Sequence, residues 1–179
     1  MHTIGMAVMS ADGCLTRHAE AGTGFASEAD QRLFRETLGR CDCVVMGGAA
    51  FRAARARIVE RLDEARLRVV LTRRPEDHRD DARPGRLEFR ADAPAAVLRD
   101  LAVRGFQRCA VVGGARTLTD ALGHGLLDEL WLTVEPVLFG TGARLVDGAV
   151  EFPLDLQGVE RLGADTVLLR YRPARRPRR

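Results

Sequence analysis

Two stretches, CDCVVMGGAAF at 41–51 and RCAVVGGARTL at 108–118, follow one plan. Each is an apolar run that ends in two glycines, then an alanine and the start of a helix-like pattern. In a parallel α/β sheet the carboxyl ends of the strands form the ligand edge. A helix beginning there offers unpaired N–H groups and the positive end of its dipole to an anion. Glycine adds a bare backbone that a phosphate can approach. Gly47–Gly48 and Gly113–Gly114, side by side on one edge, would hold a diphosphate between them, as a dinucleotide requires. Each pair would also serve a plain tight turn. The G-x-G-x-x-G fingerprint does not occur.

A third run, VVLTRRPED at 69–77, brings Thr72, Arg73 and Arg74 to a strand end. Arginine binds phosphate through two parallel hydrogen bonds, and threonine adds a hydroxyl. Such a cluster suits the 2′-phosphate of NADPH better than the free ribose of NADH. The same residues would also fit a solvated loop in an arginine-rich chain.

These residues need elements to position them. TIGMAVMS reads as an apolar strand, followed by a turn at Asp12-Gly13. SEADQRLFRETLGR reads as a helix with Ser27 as N-cap, Asp30 in its first turn and Gly39 as its stop. Strand and helix then alternate. DAPAAVLRDLAVRG is a helix with Asp92 as N-cap, Pro94 in the first turn and Gly105 at its end. LWLTVEPVLFG is a long strand, and VERLGADTVLLRYR a closing hairpin turning at Gly163-Ala164-Asp165. The alternation predicts a mainly parallel sheet covered on both faces, with an antiparallel C-terminal hairpin. One domain is expected over 1–172, and a disordered basic tail over 173–179.

The chain has 179 residues, 46% hydrophobic and 30% charged, an ordinary globular balance. The net charge of +3 is misleading, because RPARRPRR at the end holds five arginines. Without it the body is near −2, which is no electrostatic footprint for nucleic acid. No apolar run approaches the ~20 residues of a membrane helix, and the start lacks the basic n-region of a secretory signal. A cytoplasmic protein is expected. All basic side chains other than histidine are arginine, which excludes a Schiff-base or P-loop lysine. Cys14, Cys41, Cys43 and Cys109 match no zinc or redox spacing and read as buried thiols. His2, His18, His78 and His124 are scattered, with no H-E-x-x-H, so no metal is expected. His124, flanked by glycines, reads as a helix C-terminus.

MSADGCLT (9–16), FASEADQRLFRETLGRCDCVVMGGAAF (25–51) and VVGGARTLTDALGHGLLDELWLTVEPVLFGTGARLV (111–146) together resemble the reductase domain of riboflavin biosynthesis. That family shares the dihydrofolate reductase fold: three layers, a mainly parallel sheet and helices on both faces. The resemblance runs from about Gly5 to Tyr171. It implies NADPH along the strand ends, against Gly47, Gly48, Ala49 and Phe51, and against Gly113, Gly114, Ala115, Arg116, Thr117 and Leu118. Thr72, Arg73 and Arg74 would meet the 2′-phosphate. It also implies a homodimer.

On the substrate side, Ser10, Asp12 and Gly13 match the family's S-x-D-G. Asp12 is then the candidate catalytic group, accepting N–H bonds from a heterocycle or passing a proton through water. An Asx-turn is its bland alternative. Ser27 would cap its helix and point N–H groups at substrate. Glu135 would be an alternative acid if it faces the cleft and a solvated strand end if it points outward.

Two departures bear on substrate. Val112 stands where the riboflavin reductases carry an acid before Gly-Gly, and FRAARARIVERL lacks their A-D-N-P turn. Arg52, Arg55 or Arg57 could clamp a phosphate instead. The expected activity is hydride transfer from NADPH to a nitrogen heterocycle or its ribosylamino-pyrimidine phosphate, weak on the latter. A dihydrofolate or pterin reductase and a non-catalytic NADPH-binding protein are the alternatives.

Overall fold

The structure is a computed structural model and describes residues 1–62, 66–146 and 148–174. Strand β1 (His2–Ser10) is followed by α1 (Glu28–Gly39), β2 (Cys43–Gly47), α2 (Gly48–Glu60) and β3 (Leu67–Leu71). A 3-10 turn (Pro75–His78) leads to β4 (Leu87–Arg90), α3 (Pro94–Val103), β5 (Arg108–Val112) and α4 (Ala115–Gly123). Strands β6 (Glu129–Glu135), β7 (Leu154–Arg161) and β8 (Val167–Pro173) close the chain.

The strands form one eight-stranded sheet in the order β4-β3-β2-β5-β1-β6-β8-β7. Pairings from β4 across to β6 are parallel, and β6–β8 and β8–β7 are antiparallel. Every residue of β2 is buried, as expected of a central strand covered on both faces. One face packs Val97, Leu98 and Leu101 of α3 with Leu118, Ala121 and Leu122 of α4. The other packs Phe51 of α2, with Phe34 and Leu38 of α1 at its margin. The dihydrofolate reductase-like three-layer architecture is therefore the observed one.

Local signals account for most boundaries. Ser27 caps α1 by accepting the Asp30 N–H at 3.2 Å. Gly105 follows α3 with φ 93°. His124 caps α4, its Nδ1 2.8 Å from the Asp120 carbonyl. All four cysteines are buried thiols.

Three boundaries differ from the sequence expectation. Strand β6 stops at Glu135, because Pro136 has no N–H for the ladder. The cap of α3 is Ala93, while the Asp92 carboxylate accepts from Arg90 Nε at 2.7 Å. The expected tail boundary also moves: Pro173 lies in β8, and the Ala174 N–H donates to the Pro153 carbonyl at 2.9 Å. Residues 175–179 of that expected tail lie outside the described residues.

Because β1, β2, β3, β5 and β6 run parallel, their carboxyl ends share one edge. Ser10, Gly47, Leu71, Val112 and Glu135 end those strands, and the segments that follow build the candidate site.

Candidate active site

Strands β2 and β5 are neighbours, so their two glycine junctions meet. A Cβ at Gly47 would lie 2.6 Å from Thr117 Oγ1, and one at Gly113 would lie 2.9 Å from the Ala50 Cβ. The two helix starts interlock: Thr117 of α4 rests on Gly47, and Ala50 of α2 rests on Gly113. Gly47 has φ −81°, so its role is close approach. Gly113 and Gly114 have φ 70° and 76°, a backbone that favours glycine. Neither α2 nor α4 has a side-chain cap at its N-terminus. Their first-turn N–H groups point at the shared edge unsatisfied by a capping side chain, which is a donor set suited to a diphosphate.

The other residues of these segments divide. Ala49 and Arg116 are exposed, and Gly48, Gly114 and Ala115 are half-buried. Thr117 is buried behind Gly47. Phe51 and Leu118 are fully buried in the two cores, which corrects their expected place on the cofactor surface. Phe51 packs edge-on against Phe89 and His78, at ring-centroid distances of 5.0 and 5.5 Å. An apolar residue one turn into a sheet-covering helix faces the sheet.

At the end of β3, Thr72 Oγ1 accepts the Arg74 N–H at 3.3 Å. Arg73 and Arg74 are exposed, and among the described residues neither pairs with a carboxylate. A Cβ at Gly48 would meet Arg52 Nη1 at 3.3 Å and the Thr72 Cβ at 3.7 Å. The α2 N-terminus, Arg52 and the Thr72 segment thus converge.

The residues after β1 behave differently from expectation. Ser10 is fully buried; its Oγ donates to Asp12 Oδ1 at 2.5 Å and accepts the Cys14 N–H at 3.0 Å. It braces a turn and does not line a substrate surface. Gly13 completes that turn with φ 80°. Asp12 also accepts the N–H groups of Gly140 and Phe139, at 2.7 and 3.2 Å. The bond from Ser10, then those from Gly140 and Phe139, hold its pKa down at about 2 from an ordinary 3.8. A carboxylate so engaged stays ionised and staples the β1 turn to the β6–β7 loop. It is a poor proton donor near neutrality.

A pH effect follows. A carboxylate with a depressed folded pKa contributes stability that is present above pH 3.8 and is lost as pH falls toward 2. Asp12→Asn is expected to lower the melting temperature at neutral pH and to flatten this acid limb. Melting curves across the same pH window check it; an equally steep limb in the variant would contradict it.

Glu135 points inward and is 2% exposed, which removes the solvated-strand-end alternative. Its Oε1 accepts the Ser27 N–H and its Oε2 the Thr166 hydroxyl, both at 2.8 Å. The Ser27 N–H is therefore taken by Glu135 and is not aimed at substrate. This knot ties the start of α1 to the ends of β6 and β8.

Asp30, read from the sequence only as a first-turn helix residue, sits beside the knot. It is half-buried, and burial pushes its pKa up. The Thr133 hydroxyl bond opposes that shift, and the Glu135 charge adds to it. Asp30 is thus easier to protonate than an ordinary carboxylate, whereas Asp12 is harder. The sequence did carry a signal: Thr133 and Glu135 put polar side chains on one face at the carboxyl end of strand β6, which called for a partner.

A family model described as the RibD C-terminal domain matches residues 2–168. Solved structures share the fold. A pyrimidine reductase-like protein from Corynebacterium diphtheriae is 16% identical with a TM-score of 0.74, over 98% of this chain and 92% of its own. The Thermotoga maritima diaminohydroxyphosphoribosylaminopyrimidine deaminase/5-amino-6-(5-phosphoribosylamino)uracil reductase is 19% identical with a TM-score of 0.73, over 97% of this chain and 56% of its own. Acinetobacter baumannii RibD is 16% identical with a TM-score of 0.76, over 97% and 58%. This chain thus spans just over half of each of those last two proteins. No curated protein matches the sequence. No helix among the described residues is long and apolar enough to cross a membrane.

Proposed function

The chain belongs to the RibD C-terminal domain family, and from that premise we propose an NADPH-dependent reductase that transfers hydride to a nitrogen heterocycle or its ribosylamino phosphate. The observation that carries this reading is the pair of interlocked helix starts without side-chain caps, beside two exposed arginines. The N–H groups of α2 and α4 would hold the diphosphate, and Thr72, Arg73 and Arg74 the 2′-phosphate. The cofactor, when bound, supplies the hydride. The chain's own residues orient the partners and exclude water, and Asp30 is the carboxyl that would pass a proton at the substrate end.

The test is binding of both cofactors to the wild type and to Arg73→Ala/Arg74→Ala. NADPH is expected to bind more tightly than NADH, and the double variant to lose about 1–3 kcal/mol toward NADPH. Equal affinities in the wild type would contradict the reading. NADPH binding without oxidation, on any heterocycle, would instead favour a non-catalytic binding protein.

Two observations bear on substrate. Val112 offers no charge where the riboflavin reductases have an acid, and Arg55, a candidate phosphate clamp, is engaged by Asp81 at 2.6 Å. Losing one charged hydrogen bond costs about 1.5–3 kcal/mol, roughly 10- to 150-fold in affinity. The half-buried Asp30, its pKa raised by burial, favours the second reading, a pterin or dihydrofolate reductase, because a carboxyl can grip the N–H edge of a pterin ring. Steady-state NADPH oxidation with the ribosylamino phosphate and with dihydrofolate, side by side, separates them. Efficient turnover of the first alone would place the chain in the riboflavin pathway. Exposed Leu156 and Val159 on edge strand β7 support a homodimer.

A further inference from the structure

We propose that the Arg55–Asp81 ion pair is a positioning device for cofactor choice: it pins the loop carrying Arg73 and Arg74 to α2. This rests on the NADPH reading above. Asp81 is buried, with its side chain 8% exposed. Arg55 on α2 grips it in a two-pronged contact, Nε to Oδ2 at 2.7 Å and Nη2 to Oδ1 at 2.6 Å. The Arg55 side chain is itself 57% exposed, so the pair adds little stability, but its two-pronged contact fixes one geometry.

Local bonds carry that geometry back to the arginines. The Asp81 N–H donates to the His78 carbonyl at 3.1 Å, and the Asp77 N–H to the Arg74 carbonyl at 3.3 Å. The Arg74 N–H in turn reaches Thr72 Oγ1. Between these anchors the His78 ring stacks on Phe89 at 4.6 Å and meets Phe51 edge-on. Phe51 and Arg55 lie one turn apart on α2, so helix and loop form one block. At the N-terminus of α2, which faces the proposed diphosphate position, that block meets the Thr72 segment that carries Arg73 and Arg74. Their side chains are exposed, and no carboxylate among the described residues orients them. Their placement toward a phosphate dianion depends on the backbone that the pair holds, and NADH has no group there to lose.

The experiment measures NADPH and NADH affinity by calorimetry for wild type, Asp81→Asn, Arg55→Ala and Arg55→Met/Asp81→Leu, with melting curves to establish folding. The apolar double variant keeps the volume and removes the stranded charge, so it tests the idea even if a single variant fails to fold. The expected result is a roughly tenfold loss of NADPH affinity with NADH affinity unchanged. An unchanged preference for NADPH, or an equal fall for both cofactors, overturns the proposal while the NADPH reading stands. A wild type without NADPH preference overturns both. Loss of preference in Arg73→Ala/Arg74→Ala alone, with the pair variants unaffected, overturns the positioning role only.

Discussion

Gly113→Val is expected to abolish NADPH binding and to lower the melting temperature, because it breaks the joint between two helices as well as the ligand surface. Gly113 has φ 70°, and a β-branched residue resists that conformation at about 1–3 kcal/mol. Its Cβ would also lie 2.9 Å from that of Ala50. Overpacking of that kind typically costs another ~1–3 kcal/mol. Either α2 or the β5–α4 turn must shift, and both carry N–H groups of the proposed diphosphate site. The smaller Gly113→Ala should show the same defects in milder form. Adding Ala50→Gly should return part of the lost stability by clearing the clash, while the strain of positive φ remains. Thermal melting and NADPH titration on the three proteins check this. Full NADPH affinity in a folded Gly113→Val protein would show that nothing passes close to this backbone.

Asp30→Asn should remove most of the reductase activity and leave cofactor binding intact. The substitution keeps the size and the first-turn position but deletes the ionisable proton. A positioned general acid typically contributes 10²–10⁴-fold, so a loss of at least about a hundredfold in kcat/KM is expected. The pH profile separates chemistry from structure. Burial raises the Asp30 pKa, so the wild-type rate should fall as pH rises through that raised value, and the variant should lack this limb. The stability effect has a fixed sign as well. A carboxyl with a raised folded pKa makes the protein less stable as pH climbs from 3.8 through the folded pKa. The asparagine variant should therefore be no less stable than the wild type at neutral pH, provided its amide keeps a bond to Thr133. A variant with full kcat/KM and an unaltered pH profile would show that the proton comes from elsewhere, water included.

What the sequence determined by itself is the part governed by neighbours along the chain. The Ser27 cap, the glycines at positive φ after α3 and β5, and the alternation of apolar runs with helices all follow from local sterics and hydrogen bonding. Once the alternation makes the strands parallel, their carboxyl ends must share an edge. That is why the placement of Gly47, Thr72 and Gly113 could be read without coordinates. Which side of an element a residue shows to its partner is a different matter. Phe51 and Leu118 lie in the segments that start at this edge but face the cores, because a helix covering a sheet must bury its apolar stripe. Asp12 and Ser10 lie in the turn after β1, yet Gly140 and Phe139, from a loop far along the chain, fill the carboxylate. Glu135 turns inward because Ser27 and Thr166 supply donors that only the packed sheet brings within reach. Asp30 acquires its raised pKa from the desolvation created when α1 settles beside Thr133 and Glu135. Burial and electrostatics at this edge are sums over groups distant in sequence, and periodicity records only that a residue has a face, whereas the tertiary structure decides what that face meets.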